Sequence, residues 1–261
     1  MSQMKNFFRL LLLSIAIPPA MSISTAASPQ HYEIRSYVLG DQGDAEAIHD
    51  YLRDAFLPAM NRLKVGPIGV FHNSSEDQSD SQRIVVVIPY ENADEISQCR
   101  TSLKQDASYR KSAEAYLNRD PKNPPYLRIE SELLSAMDCM PLLKSPKEQT
   151  QNDKRVFELR IYESSNERLG DLKVHMFNNG EVPIFLDCGI QPIFIGQTLI
   201  GPFTPNLSYL TVYPNEDARN EAWIAFRAHP DWQILKKKPL YQGTVSKIHK
   251  YVLVPADYSQ I

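Results

Sequence analysis

The stretch Tyr-Glu-Ile-Arg-Ser-Tyr at residues 32–37 recurs as Phe-Glu-Leu-Arg-Ile-Tyr at residues 157–162. Both stretches alternate apolar with polar side chains, which is typical of a strand with one buried face. The same separation of 125 positions aligns four further pairs, Pro58 with Pro183, Pro67 with Pro192, Val70 with Ile195 and Pro89 with Pro214. A constant separation through successive elements predicts an internal duplication.

Each half of the chain carries the same order of secondary-structure signals. Apolar residues at helical spacing occupy residues 45–63 and 91–117 in the first half, and 169–185 and 217–227 in the second. Short apolar or alternating runs between them predict strands. The order predicts an α+β fold of two tandem ferredoxin-like β-α-β-β-α-β units. We expect the two four-stranded sheets to cover each other by packing sheet to sheet.

The first residues have the pattern of an export signal. Lys5 and Arg9 give a positive start, an apolar run follows at residues 10–17, and small residues come next. A membrane anchor needs about 20 apolar residues, so this run is too short for one. A mitochondrial presequence is the alternative, but the run is too apolar for an amphipathic targeting helix. We predict a signal peptide at residues 1–27, a secreted or periplasmic protein, and no membrane span in the mature chain.

The composition is that of an ordinary globular protein. Of the 261 residues 43% are hydrophobic and 23% are charged, and the formal net charge of −3 becomes −5 without residues 1–27. The chain has no excess of positive charge, so we expect no nucleic-acid partner. The remaining chain divides into units at residues 30–136 and 155–255, joined by a charged, proline-containing linker at 137–154.

The spacing of the cysteine and histidine residues does not match the metal-binding or cofactor-binding motifs of known sites. We interpret the three cysteines, Cys99, Cys139 and Cys188, mainly as buried thiols. Export to an oxidising compartment would also permit one disulfide between two of them. The sequence contains no His-Glu-x-x-His motif and no carboxylate cluster, so we predict no metal site and no cofactor. Haem binding stays an alternative because it needs a single His.

The second half carries motifs that resemble a known family. Trp223 opens the specific spacing Trp-x-x-Phe-x-x-His-Pro-x-Trp, which ends at Trp232 and follows a Gly-Gln-Thr-Leu-Ile-Gly-Pro turn at residues 196–202. Over about residues 155–255 this half resembles the NIPSNAP domain, a branch of the dimeric α+β barrel superfamily. The first half resembles a divergent copy without either tryptophan, in which Tyr109 falls near the position of Trp232.

The resemblance implies a dimeric α+β barrel, built here as a pseudo-dimer within one chain, but no established activity. Relatives in that superfamily include cofactor-independent monooxygenases and haem-binding enzymes that hold ligands between sheet and helices. We expect a non-catalytic module that binds an unknown small molecule or protein, with a monooxygenase or haem-dependent enzyme as the alternative. A homo-oligomer stays open. The complete motif predicts that the site lies mainly in the second half.

The repeated Glu-Arg pairs and the motif aromatics supply the candidate site. Each pair can recognise a polar ligand group, or it can form an ion-pair network between the sheets, the interpretation we favour. A lone His can act as a base but is more often structural. The aromatic residues can line a pocket, although a core is the commoner role. The candidate set is Glu33, Arg35, Tyr37, Glu158, Arg160, Tyr162, His175, Glu181, Trp223, Phe226 and Trp232.

Overall fold

The first half of the chain forms four strands with helices between them. The structure, a computed structural model, describes residues 28–79, 81–150 and 153–261, so the predicted signal peptide lies outside the described residues. The strands are β1 (His31–Val38), β2 (Gly69–Asn73), β3 (Arg83–Tyr90) and β4 (Arg128–Ala136). The helices are α1 (Ala45–Tyr51), a π-helical turn at Leu52–Phe56, α2 (Leu57–Arg62), α3 (Asp94–Gln105), α4 (Ala107–Ser112) and α5 (Glu114–Leu117).

The second half follows the same order of elements. Its strands are β5 (Val156–Glu163), β6 (Gln191–Ile200), β7 (Asn206–Tyr213) and β8 (Lys247–Pro255). Its helices are α6 (Glu167–Met176), a π-helical turn at Phe177–Glu181, α7 (Val182–Asp187), α8 (Glu216–Ala228) and α9 (Pro230–Leu235). Short 3₁₀ turns occupy Glu148–Thr150 and Pro239–Tyr241. The first helix of each half therefore contains a five-residue π-helical turn at the same place.

A side-chain cap divides the helix that the sequence predicts over residues 91–117. Asp106 adopts an extended backbone, and its carboxylate accepts a hydrogen bond of 2.9 Å from the amide of Tyr109. Such a cap satisfies an amide at the start of a new helix. His229 has the same role before α9, where its Nδ1 accepts from the amide of Asp231 at 3.2 Å. Asp106 and His229 therefore mark equivalent points in the two halves.

Eight antiparallel strands close into one barrel in the order β1-β3-β2-β8-β5-β7-β6-β4. The two halves meet edge to edge, where β2 pairs with β8 and β4 pairs with β6. The expected packing of two open sheets face to face is therefore corrected to a closed barrel. Closure pairs the edge strands that each half would otherwise leave with free backbone groups.

The barrel interior and the two helix-covered faces form three separate hydrophobic clusters. The interior is filled by fully buried side chains that include Tyr32, Phe157 and Phe194. The second cluster lies between the first sheet and α1–α5, and the third between the second sheet and α6–α9. Each half therefore has a helix-covered outer face, separate from the shared interior.

The strand registers revise one of the aligned proline pairs. Pro89 lies opposite Tyr32, but the residue opposite Phe157 is Val212, and Pro214 lies beyond the end of β7. The hairpin of the first half therefore contains two more residues than its counterpart. Equivalent residues after the hairpin stand 123 positions apart instead of 125.

Two connecting segments bind the halves together. In the predicted linker, the amide of Lys144 donates to the carbonyl of Ile193 at 2.9 Å, alongside β6. The last six residues return to β2, where the amide of Val70 donates to Ser259 Oγ at 3.0 Å and the amide of Ile68 donates to Gln260 Oε1 at 2.7 Å. The tail of the second half therefore extends the edge of the first.

Within the described residues, none of the helices combines the length and the apolar character needed to cross a bilayer.

Candidate functional site

The repeated Glu-Arg-Tyr motifs lie on the outer faces of the barrel wall, beneath the helices. Tyr37 packs with Ile48 in the helix-covered cluster of the first half, and Tyr162 packs with Trp223 in that of the second. Alternate residues of a strand point to opposite faces, and it is Ile34 and its alternates that point inside the barrel. The expected ion-pair network between the two sheets is therefore wrong, and each motif serves its own half.

In the second half the motif belongs to a buried hydrogen-bond network. Glu158 is fully buried, and it accepts hydrogen bonds from Arg160 Nε at 2.5 Å and from the guanidinium of Arg219. Arg160 also donates to the hydroxyl of Tyr162 at 3.0 Å, and the hydroxyl of Tyr209 donates to that same oxygen at 2.6 Å. The two guanidiniums compensate the buried carboxylate.

Aromatic rings and a second ion pair fill the space above this network. The guanidinium carbon of Arg160 lies 3.7 Å from the ring centroid of Trp223. Lys173 Nζ donates to Glu181 Oε2 at 2.6 Å and lies 5.6 Å from the ring centroid of Trp232. Burial raises the pKa of Glu181, and the Lys173 ammonium opposes that shift. The motif-bearing half therefore has a packed interior between sheet and helices.

The remaining candidates of the second half do not join that network. His175 is exposed on α6, and its Nδ1 is 2.9 Å from the hydroxyl of Tyr241. Phe226 is buried with its ring centroid 5.6 Å from that of Trp223 and 5.0 Å from that of Phe185. His175 thus lies at the surface, and Phe226 is part of the core.

In the first half the same motif forms a simpler pair. Arg35 Nε donates to Glu33 Oε1 at 2.9 Å, and the hydroxyl of Tyr90 donates to Glu33 Oε2 at 3.2 Å. The guanidinium carbon of Arg35 lies 5.1 Å from the ring centroid of Phe56. Arg35 and Phe56 form the floor of an open space between the sheet and the helices.

A cavity of about 440 Å³ occupies this space, and we call it the first-half cavity. Its lining residues are Arg35, Tyr51, Phe56, Arg100, Leu103, Lys104, Tyr109, Arg110 and Leu117. The hydroxyls of Tyr51 and Tyr109 are 2.9 Å apart. Burial raises the pKa of Tyr51, so its hydroxyl stays protonated at neutral pH. The cavity thus combines aromatic walls with guanidinium, ammonium and hydroxyl groups.

The cavity is open because smaller or outward-pointing residues replace the ones that fill the second half. Arg100 stands six positions before the cap Asp106, as Trp223 stands six before the cap His229. Trp223 is buried over Arg160, whereas Arg100 is exposed. The ring that closes the second half is therefore missing from the first.

Other equivalent positions also differ between the halves. Tyr109 and Trp232 each lie three positions after their cap, so Tyr109 is the counterpart of Trp232, near the position that the sequence predicted. The buried Lys173–Glu181 pair has Ile48 and Phe56 as its counterparts, counted from the π-helical turns. The first half thus lacks the buried ion pair as well as the tryptophan.

A second cavity of about 770 Å³ lies at one end of the barrel, between the two halves. Part of its charged lining is paired: Arg128 Nε donates to Glu130 Oε1 at 2.6 Å, and His249 pairs with Glu163. The described residues contain no group of three or more side chains able to hold a metal ion. The three cysteines carry free thiols, and burial raises the pKa of Cys139 to about 11.

Sequence reasoning missed Lys173, Arg219 and the first-half cavity. Arg219 lies four residues before Trp223 on α8, and Lys173 lies four residues before Phe177, so helical spacing puts each near an aromatic ring. That spacing was the available signal. For the cavity the available signal was the absence of both tryptophans from the first half.

Comparisons with known proteins agree with this architecture. A candidate monooxygenase from Fusobacterium nucleatum has a TM-score of 0.59 at 11% identity, covering 88% of this chain and 94% of that one. A candidate monooxygenase from Lactobacillus acidophilus has a TM-score of 0.53 at 13% identity, covering 87% and 94%. Likeness at this identity shows the fold alone, and it defines the class as that of dimeric α+β barrel-type proteins.

The family assignment comes from the second half. Residues 157–260 match the family model of NIPSNAP, so this part of the chain is a NIPSNAP domain. An uncharacterised NIPSNAP-like domain protein from Burkholderia xenovorans is 21% identical with a TM-score of 0.38, covering 41% of this chain and 90% of that one. No curated protein matches the chain in sequence.

Proposed function

We propose that the protein binds a small molecule without transforming it, and that its site is the first-half cavity. One contrast carries this proposal: the cavity measures about 440 Å³, while the buried ring of Trp223 packs against Arg160 at the equivalent position of the NIPSNAP domain. Small-molecule sites usually measure about 300–1,000 Å³ and combine an apolar lining with a few polar groups. The divergent half therefore takes the binding role, and the motif-bearing half supports the fold.

The chemistry of the lining favours binding over catalysis. No His, Cys, Asp or Glu is among the described residues that line the cavity. General acid–base and nucleophilic catalysis at neutral pH rely mainly on those side chains. Guanidinium, ammonium and neutral phenol groups instead donate hydrogen bonds and stabilise charge.

Fluorescence titration with N-phenyl-1-naphthylamine, a neutral aromatic probe, tests the proposal. We expect the wild-type chain to bind the probe at a single site. Arg100→Trp introduces the ring that Trp223 supplies in the second half, and it should weaken binding about tenfold or more, equal to about 1.4 kcal/mol. Arg227→Trp, at an exposed position of α8, is the matched control and should bind normally. Equal binding by all three proteins would overturn the proposal.

The monooxygenase alternative has a separate readout. The two solved structures named above lend it support through the fold only. An oxygen electrode with quinol-like substrates, and an absorption spectrum for bound haem, measure it directly. Oxygen consumption by the wild-type chain that Arg100→Trp abolishes would replace the binding proposal with the enzymatic one.

The organisation and export of the chain are also proposals. The common strand order, the matched π-helical turns and the matched caps support two tandem NIPSNAP-like units at residues 30–136 and 155–255, joined at 137–154. The sequence pattern of residues 1–27 supports export. The intact mass of protein secreted by an expressing bacterium tests the export proposal, because cleavage would remove about 27 residues.

A further inference from the structure

We infer that the first-half cavity selects a planar aromatic molecule bearing a negative group, with the ring inside and the anion at the mouth. This inference rests on the proposed function, and it adds the chemical class of the ligand. It depends on where the charges of the cavity lie and which of them are already compensated.

The cations at the mouth are uncompensated. Arg100, Lys104 and Arg110 are all exposed, and no carboxylate of the described residues lies within 4.0 Å of their charged groups. Arg100 and Lys104 are four positions apart on α3, so they share one helix face and repel each other. An anion held between these groups would relieve that repulsion and accept several hydrogen bonds.

The floor of the cavity has no uncompensated positive charge. Arg35 donates to Glu33 at 2.9 Å, and the two side chains are largely buried together. Since this pair is neutral as a unit, an anion placed at the floor would face the Glu33 carboxylate as well as the guanidinium. The charge distribution therefore directs the negative group to the mouth.

The walls fit a flat ring. Tyr51, Phe56 and Tyr109 line the interior, and the ring of Tyr51 stacks on that of Tyr116 with centroids 3.9 Å apart and planes 9° apart. This stacking fixes the orientation of one wall. Aromatic surfaces favour offset-stacked or edge-on contacts with another ring, which gives a planar ligand more contact than a branched one.

The charged mouth is a property of this half and not of the shared fold. The counterparts of Arg100 and Arg110, counted from the caps, are Trp223 and Gln233, and only Lys104 has a cationic counterpart, Arg227. The cations therefore accompany the opening of the cavity. That association links them to the ligand.

Two probes that differ by one sulfonate test the inference. N-phenyl-1-naphthylamine is neutral, and 8-anilinonaphthalene-1-sulfonate adds a negative group to the same rings. We expect the sulfonate to bind the wild-type chain about tenfold more tightly at low salt, an advantage that shrinks at high salt because salt screens exposed charges.

Charge variants show whether the mouth is responsible. Arg110→Gln and Lys104→Gln should each weaken sulfonate binding about threefold to tenfold more than they weaken binding of the neutral probe. Arg227→Gln on the second half is the matched control and should change neither. Near-ultraviolet circular dichroism confirms that each variant keeps the native packing.

The outcomes separate the two claims. If the neutral probe binds and Arg100→Trp blocks it, but the sulfonate has no advantage or the charge variants leave that advantage intact, the inferred ligand class is wrong and the proposed site stands. If neither probe binds, or Arg100→Trp changes nothing, both are wrong.

Discussion

The guanidinium of Arg160 lies 3.7 Å from the ring centroid of Trp223, and this contact closes the space between sheet and helices in the second half. The first half keeps the arginine, as Arg35, and has the exposed Arg100 where the tryptophan would be. At this position the second half is closed by a buried ring and the first half is open.

Removal of the tryptophan ring should destabilise the protein. Trp223→Ala deletes a buried ring and its contact with Arg160, and the void left behind should lower the free energy of unfolding by about 3–5 kcal/mol. Urea denaturation followed by circular dichroism measures the change. Ile224→Ala, at a residue 60% exposed on the same helix, is the control and should be nearly neutral. A loss below about 1 kcal/mol would show that Trp223 does not hold the half together.

Neutralising the buried carboxylate of Glu158 should lower the free energy of unfolding by a similar amount. Glu158→Gln leaves Arg160 and Arg219 without the buried anion that compensates them, and breaking such a pair typically costs about 3–5 kcal/mol. The exposed Glu221→Gln on α8 should have little effect. Unfolding free energies at neutral pH check both values. Similar stability of the two variants would contradict the role assigned to Glu158.

A buried acid in β4 should make stability depend on pH. Glu132 has no hydrogen-bond partner for Oε2 among the described residues, and burial, aided by the charge of Glu130, raises its pKa from 4.5 to about 7. The folded chain therefore holds a proton that the unfolded chain releases. This contribution is fully present below about pH 4.5 and is lost as the pH rises to about 7.

The size of that effect follows from the pKa change. A difference of this magnitude corresponds to about 3 kcal/mol. Glu132→Gln cannot ionise, so it should be more stable than wild type at pH values above about 7, with the gap closing in acid. Melting curves across this pH range measure the gap. A gap that stays constant with pH would rule out Glu132 as its source.

Loss of the tail should weaken the first half even though the tail follows the second. Deletion of residues 256–261 removes the acceptors Ser259 Oγ and Gln260 Oε1 from the amides of Val70 and Ile68, and it exposes the buried pocket of Ile261. We expect a loss of about 3 kcal/mol or more from these contacts together. Hydrogen exchange should show the largest change in β2. The single variant Asp257→Ala controls for nonspecific effects of altering the tail, and unchanged exchange in β2 after the deletion would contradict the prediction.

Much of the fold was accessible from local sequence patterns. The alternation in YEIRSY and FELRIY predicted β1 and β5. The spacing of apolar residues predicted the helices that cover these strands. The motif between Trp223 and Trp232 predicted the NIPSNAP domain. These features are encoded within a few turns or strands of the chain, so periodicity alone reveals them.

The candidate site was less accessible, because it depends on what faces each residue. Alternation placed Glu158 and Arg160 on one face, but it did not say whether that face met the other sheet or the helices. The longer hairpin of the first half also shifted the alignment that located equivalent residues. Local patterns set the order of side chains along an element and leave their partners undetermined.

The repeated order of strands and helices, the two faces of each strand and the NIPSNAP motif of the second half follow from short stretches of the amino-acid sequence. Three features follow from the folded chain alone: the sheets close edge to edge into a barrel, Arg219 reaches Glu158, and the first half is open where Trp223 fills the second. Those features depend on side chains far apart in the chain competing for the same space, and such competition is resolved only when the whole chain is packed.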